Sequence, residues 1–181
     1  IRPSRGLGDV YKRQVNKLNS FQISTGDILR DEIKKDSDVG KRIINYMNEG
    51  KFVDDEIVNK IIKNIIYDPN KKNKLIFDGY PRTIEQAKNL DIWLNDTNQK
   101  INYIFFLNVN KETIIKRIEK RKILEKRSDD DLNTIIKRYD KYMDTTKPVL
   151  DYYSDKSYFK EIDGSLEIDQ ITSKISSILK V

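Results

Sequence analysis

No histidine and no cysteine occur among the 181 residues. That removes Ser-His-Asp and Cys-His catalysis, phosphohistidine chemistry, zinc sites and disulfides together. The chemistry left is that of carboxylates, lysines, arginines and backbone amides. Arginine is the scarce member of this set: from Val15 onward there are seven against twenty-four lysines. Lysine therefore serves wherever any cation will do, and a guanidinium fork is the better group for bidentate contact with carboxylate or phosphate. Taken singly, each arginine also reads as surface solvation or helix pairing. Asp78, at the end of an apolar run, reads by itself as a strand-end turn carboxylate.

These groups need elements to hold them. Phe21 to Ser24 is a short apolar strand running straight into Ser24-Thr25-Gly26-Asp27, where Ser24 or Thr25 caps a helix expected from Asp27 to about Asp36. A second helix is expected near Val39 to Glu49, stopped at Gly50. Between Asp54 and Tyr67, Ile57, Val58, Ile61, Ile62, Ile65 and Ile66 form one helical stripe that ends at Asp68-Pro69. Leu75 to Asp78 is a second strand, closed by Gly79-Tyr80-Pro81-Arg82, and Thr83 opens a helix carrying Ile84, Ala87, Leu90 and Leu94. Tyr103 to Val109 has the continuous apolar character of a buried parallel strand. A helix from Lys111 to about Leu124 follows, then one that starts at the Asp129 to Asp131 cluster and is kinked or split by Pro148. A strand over Tyr158 to Ile162 and a helix marked by Ile168, Ile171, Ile175 and Ile178 complete the chain. This alternation implies a parallel α/β sandwich in one domain.

Hydrophobic residues make up 37% and charged residues 35%, with no apolar run long enough to span a membrane. The formal charge of +6 is uneven: residues 1–14 hold Arg2, Arg5, Lys12 and Arg13 against Asp9, which leaves only +3 for everything after them. Spread among alternating signs, that is an ordinary solvated surface. The opening segment also lacks helical or strand periodicity and any signal-peptide pattern. Its end, DVYKRQ, resembles the translation of a transposase adapter used in preparing DNA libraries. Residues 1–14 are therefore expected to be non-native or disordered, with the domain starting near Val15. The absence of cysteine suits a reducing, cytoplasmic setting.

STGDILR at 24–30, FDGYPRTIEQA at 77–87, and RSDDDLNTIIKRY at 127–139 followed by Pro148 and Asp151-Tyr152-Tyr153 resemble, in order and spacing, the motifs of the adenylate kinases. The resemblance covers Val15 to Val181 and implies the three-layer, parallel-sheet α/β fold of the P-loop nucleoside monophosphate kinases. It also implies reversible phosphoryl transfer, ATP + AMP = 2 ADP, with Mg2+, by a monomer that needs neither nucleic acid nor membrane. Such transfer is mostly positioning and charge stabilisation. Arg30, Arg82, Arg121, Arg127 and Arg138 fall on the family's phosphate-contacting arginines, and Arg82, Arg121, Arg127 and Arg138 would be catalytic. Thr25, Gly26 and Arg30 would bind AMP, with Lys51, Phe52 and Val53 along the nucleoside. Gly79, Tyr80, Pro81, Arg82 and Gln86 would complete that pocket, Gln86 offering its amide to the adenine edge. Asp78 would reach magnesium through water. The loop at Asp163-Gly164-Ser165-Leu166 would meet the ATP adenine, through Gly164 and Leu166. An AMP-binding helical insert is expected at about 24–53, and Arg121 and Arg127 would bracket a short lid at about 121–127.

One feature of the resembled family is missing from the sequence: a first strand leading into a glycine-rich loop that ends in Gly-Lys and cradles the ATP phosphates. Gly40-Lys41 and Gly50-Lys51 lack the preceding glycine, and Gly6-Leu7-Gly8 has no following lysine. The expectation is a fold lacking its first strand and P-loop, whose AMP side is intact and whose ATP side is incomplete. Two other readings stay open at this level. A UMP or CMP kinase would share the fold and arginines, though Thr25 and the stretch from Thr83 to Ala87 lean towards AMP. A basic RNA-binding module would explain the charge, but interleaved surface aromatics on a basic strand pattern are absent.

Overall fold

The computed structural model describes residues 18–35, 37–48, 53–116 and 132–180. The expected helix stop at Gly50, the acidic cluster at Asp129 to Asp131 and the whole segment 1–14 lie outside these residues. So do Lys51, Phe52, Arg121 and Arg127, and the side chain of Arg138.

The first strand, β1 (Phe21–Ser24), passes directly into α1 (Thr25–Lys34), and Ser24 is the cap: its hydroxyl accepts the Asp27 N–H. The helix thus begins two residues before the expected Asp27. After it comes α2 (Asp38–Asn48), which lies close against α1. A side chain at Gly40 would sit 2.9 Å from the Glu32 carbonyl oxygen and 3.2 Å from Ile33 Cα, so glycine permits that approach. Asp54 caps α3 (Asp55–Ile66), whose isoleucine stripe buries Val58, Ile62 and Ile66. A 3-10 turn at Pro69–Lys71 leads to β2 (Leu75–Asp78), and Thr83 caps α4 (Ile84–Asp96).

Next come β3 (Ile104–Asn108) and α5, the helical turns at 111–116 that are the described part of the helix expected to reach Leu124. From Leu132 to Tyr153 the chain is helical throughout: α6 (Leu132–Lys141), a π-helical stretch (Tyr142–Thr146) and α7 (Lys147–Tyr153). Pro148 falls within the first turn of α7, where its missing N–H costs least, so the register changes ahead of it without a break. The chain closes with β4 (Phe159–Asp163), shifted by one residue from the expected bounds, and α8 (Ile168–Leu179).

Among the described residues all strand pairing is parallel, as the alternation requires, but it falls into two pairs. β1 pairs with β2 in the register Phe21↔Leu75 to Ser24↔Asp78, and β3 pairs with β4 in the register Ile104↔Phe159 to Asn108↔Asp163. Among the described residues no strand joins β2 to β3. The apolar run at β3, expected to be buried, is half-buried along Ile104 to Leu107 and exposed at Asn108. With one neighbouring strand among the described residues, its other edge gains no ladder there.

The core follows this division. Ile23, Ile43, Val58, Ile62, Leu90 and Trp93 pack around the first pair, whereas Ile162, Ile171 and Ile175 pack α8 on the second. The two regions meet through α4, whose Ala87 packs with Val149 and Tyr153 of α7 and with Ile104 and Phe159 of the second pair. Asp91 on α4 fastens this junction. Its two oxygens lie 3.0 Å from the Tyr152 hydroxyl and 3.1 Å from the Tyr153 hydroxyl.

Burial, with the Asp91 charge second, raises the pKa of the Tyr153 hydroxyl, and burial with the Asp55 charge does the same to Tyr80. Each tyrosine binds its proton more tightly folded than unfolded. Its contribution is intact while both states are protonated and is lost as pH rises above the ordinary tyrosine value of 10.0. Urea denaturation should therefore show stability falling above pH ~10, and Tyr153→Phe should cost about 1 kcal/mol at neutral pH while making the alkaline fall shallower. An alkaline limb unchanged in Tyr153→Phe would contradict this account of the junction.

Candidate active site

Parallel pairing sends both strands of the first pair the same way, so their carboxyl ends and the loops leaving them lie side by side. Ligands of open α/β sheets bind at such ends. Ser24 is paired with Asp78, and the next residues are Thr25 on one strand's exit and Gly79 on the other's. Thr25 is 5% exposed, and its hydroxyl donates to the Gly79 carbonyl at 3.0 Å. Arg82 Nε donates to the same carbonyl at 2.8 Å. One backbone oxygen thus ties the N-terminus of α1 to an arginine.

Gly79 has φ +73°, in the left-handed region that favours glycine. A Cβ there would lie 2.8 Å from Arg82 Nη2 and 3.2 Å from Thr25 Oγ1. The Tyr80-Pro81 peptide bond that follows is cis. Gly26 similarly has Arg30 over it, with Nη2 3.2 Å from the position a Cβ would take. Arg30 Nη2 is 2.6 Å from Asp27 Oδ1, a partly exposed pair one helical turn apart. Such pairs are worth up to about 1 kcal/mol, so an anion competes for the guanidinium at small cost.

Thr25, Gly26, Arg30, Asp78, Gly79, Pro81, Arg82 and Gln86 are thus brought together at one end of the first pair. Tyr80 is placed differently from an open pocket residue: its ring is buried against Phe77, and its hydroxyl lies 3.2 Å from Asn59 Oδ1. Val53 is buried in the same cluster. Gly164 and Leu166 stand at the carboxyl end of the second pair. There the Gly164 N–H donates to the Asn108 carbonyl at 2.8 Å, and a Cβ would collide with the Val109 side chain. Leu166 packs on the cluster formed by Ile162, Ile171 and Ile175.

Three contributors were not singled out in the sequence. Asp55, in the first turn of α3, holds both Thr83 and Gln86. Thr146, in the π-helical stretch, donates its hydroxyl to the Arg82 carbonyl at 3.0 Å, joining the long helix that carries Arg138 to the site. Asn59 meets Tyr80. All three lie within helices, where an acid, an amide or a threonine gives no signal distinct from an ordinary solvated face.

Magnesium takes one or two carboxylates, keeps several waters and shares the phosphate oxygens of its nucleotide. Asp78 fits that demand: it is a half-buried carboxylate at a strand's carboxyl end, beside two loops suited to anions. Among the described residues no cluster of three acidic, histidine or cysteine side chains could hold a metal by itself.

Parallel strands that deliver a helix N-terminus and an arginine to one corner are consistent with the α/β fold of the nucleoside monophosphate kinases. The sequence pattern of the adenylate kinases matches residues 2–158, so the match includes the opening segment. The chain is 45% identical to the adenylate kinase of Pelagibacter ubique over 205 positions, covering 99% of the chain and 96% of the relative. It is 38% identical to that of Mycoplasma mycoides over 99% of the chain and 96% of the relative. Against the enzyme of Thermotoga neapolitana it is 32% identical, over 98% and 93%. The 205 aligned positions exceed the 181 residues present, so the alignment bridges segments that this chain lacks. The chain belongs to the adenylate kinase family, whose members transfer phosphoryl groups between nucleotides at the expense of ATP.

Gly79→Ala should cost about 1 to 2 kcal/mol by forcing an L-residue into the left-handed region and should also push Arg82 off the shared carbonyl. A lowered urea midpoint checks the first effect; a midpoint equal to that of the unaltered chain would contradict the stated role of Gly79.

Proposed function

We propose that the corner formed by Thr25, Gly26, Arg30, Gly79, Pro81, Arg82 and Gln86 binds AMP. The carrying observation is the convergence of the Thr25 hydroxyl and the Arg82 guanidinium on the Gly79 carbonyl. In this reading Arg30 leaves Asp27 to hold the AMP phosphate. Lys51, Phe52 and Val53 line the nucleoside, Tyr80 contributes through its backbone, and Gln86 meets the base. The helical insert at about 24–53 is the part of the domain given to AMP.

Arg82, Arg121, Arg127 and Arg138 act on the phosphoryl group in flight. In the transition state the charge is spread over three equatorial oxygens and the leaving oxygen, so donors fixed beforehand for that geometry stabilise it more than the ground state. Support comes from Thr146, which links the helix of Arg138 to the Arg82 backbone. Residues 121–127 form the short lid, and Gly164 and Leu166 meet the ATP adenine. Asp78 would hold magnesium through water, and the ion would supply positive charge to offset the phosphates. The enzyme works as a monomer in the cytoplasm.

Changing Arg82, Arg127 or Arg138 singly to Ala, in a chain given a family-type strand and phosphate loop ahead of Val15, should cut turnover on the order of a hundredfold or more. Lysine at the same positions should restore little, because it lacks the fork. Near-normal turnover in all three alanine variants would overturn the assignment.

For the polypeptide as it stands we propose that ATP-dependent phosphorylation of AMP is at background. The sequence holds no Gly-Lys phosphate loop, and Pro3, Gly6 and Gly8 interrupt any strand that could carry one. A coupled assay of this chain beside the version with the family-type loop tests the point. AMP turnover at comparable rates in both would show that the ATP phosphates are held elsewhere.

A further inference from the structure

Gln86 is 3% exposed, and both ends of its amide are engaged. Nε2 donates to Asp55 Oδ1 at 2.5 Å, and Oε1 accepts the backbone N–H of Arg82 at 2.7 Å. The arrangement is closed by Thr83: its hydroxyl donates to Asp55 Oδ2 at 3.0 Å and accepts the backbone N–H of Gln86 at 3.2 Å. The carboxylate itself is fixed, because α3 is anchored by its buried Val58, Ile62 and Ile66 and capped by Asp54 immediately before Asp55.

A carboxylate only accepts hydrogen bonds and a backbone N–H only donates them, so the two partners of this amide cannot exchange roles. Turning the amide over would set Oε1 against the Asp55 carboxylate and Nε2 against the Arg82 N–H. Two hydrogen bonds would become two repulsive contacts in a buried place. The amide therefore has one orientation. After its internal bonds are made it retains one Nε2 hydrogen and one Oε1 lone pair.

Resting on the reading that Gln86 meets the base, we propose that Asp55 is the positioning residue that makes this site select a 6-aminopurine over a 6-oxopurine. A 6-aminopurine presents an exocyclic amine that donates beside a ring nitrogen that accepts. A 6-oxopurine presents the reverse, an oxygen that accepts beside a ring N–H that donates. An amide free to turn would satisfy either pattern equally well. With its orientation fixed by Asp55, Gln86 offers its remaining acceptor and donor in one order only, and the mismatched purine leaves buried polar groups unpaired.

The test measures dissociation constants by calorimetry for AMP, for inosine 5′-monophosphate as the 6-oxo analogue, and for ribose 5-phosphate, which has no base. The proteins are this chain, Asp55→Asn and Asp55→Ala. The unaltered chain should prefer AMP, and in both variants the AMP-to-inosine-monophosphate preference should fall by roughly tenfold or more. Ribose 5-phosphate affinity should not move, which separates loss of base selection from general damage to the site. An unchanged preference in a folded variant overturns the proposal. No AMP binding by the unaltered chain overturns the AMP reading itself and the proposal with it. If both variants fail to fold, hydrogen exchange of the Gln86 side-chain amide in the unaltered chain decides. Protection before any nucleotide is added supports the fixed orientation, and free exchange overturns it.

Discussion

The parallel register between β1 and β2 is the constraint on which the site depends. Pairing Ser24 with Asp78 sets two chain exits next to each other, more than fifty residues apart in sequence. From one exit comes the N-terminus of α1, capped by Ser24, and from the other a glycine turn with an arginine three residues on. A slip of one residue would turn every side chain of the moved strand to the other face and separate Thr25 from Gly79. The shared Gly79 carbonyl is the local expression of that register, because it accepts from both sides only while the strands stay aligned.

What surrounds this corner holds it from three directions. Behind it, α3 supplies Asp55 to the loop and Asn59 to Tyr80. Below it, α4 begins at Thr83, so the cap of that helix is also part of the site. Across it, the π-helical stretch reaches back through Thr146 to Arg82. The Asp91 junction with Tyr152 and Tyr153 keeps that long helix seated on α4. The second strand pair meets the first through this helical layer, by way of Ala87, Val149 and Ile104, and through Ile101 ahead of β3, which packs on both clusters.

The elements were legible in the sequence because their signals are local. β1 and β2 fall where their short apolar runs predicted, and Thr83 is the cap it was read to be, with its hydroxyl accepting the Gln86 N–H. The motif residues at 24–30 and 77–87 also lie together, since both motifs run out of the carboxyl ends of β1 and β2. What the sequence did not disclose is where a side chain spends its hydrogen bonds. Tyr80 lies within a motif, yet its ring is buried and its hydroxyl meets α3, a contact between residues 21 apart. Asp55 looked like one of several acids at a helix start, and its bond to Gln86 spans 31 residues. The half-burial of β3 was equally hidden, because an apolar run states what a strand can bury and not what will cover it.

The central claim is that the carboxyl ends of β1 and β2 form the monophosphate site. The most direct measurement is a titration of the 15N-labelled chain with AMP, followed through backbone amide NMR shifts. The account predicts the largest saturable shifts at Thr25, Gly26, Arg30, Gly79, Arg82 and Gln86, with β4 and α8 little affected. Saturable shifts centred instead on Asn108, Gly164 and Leu166, with the Thr25 and Gly79 amides unmoved, would contradict it.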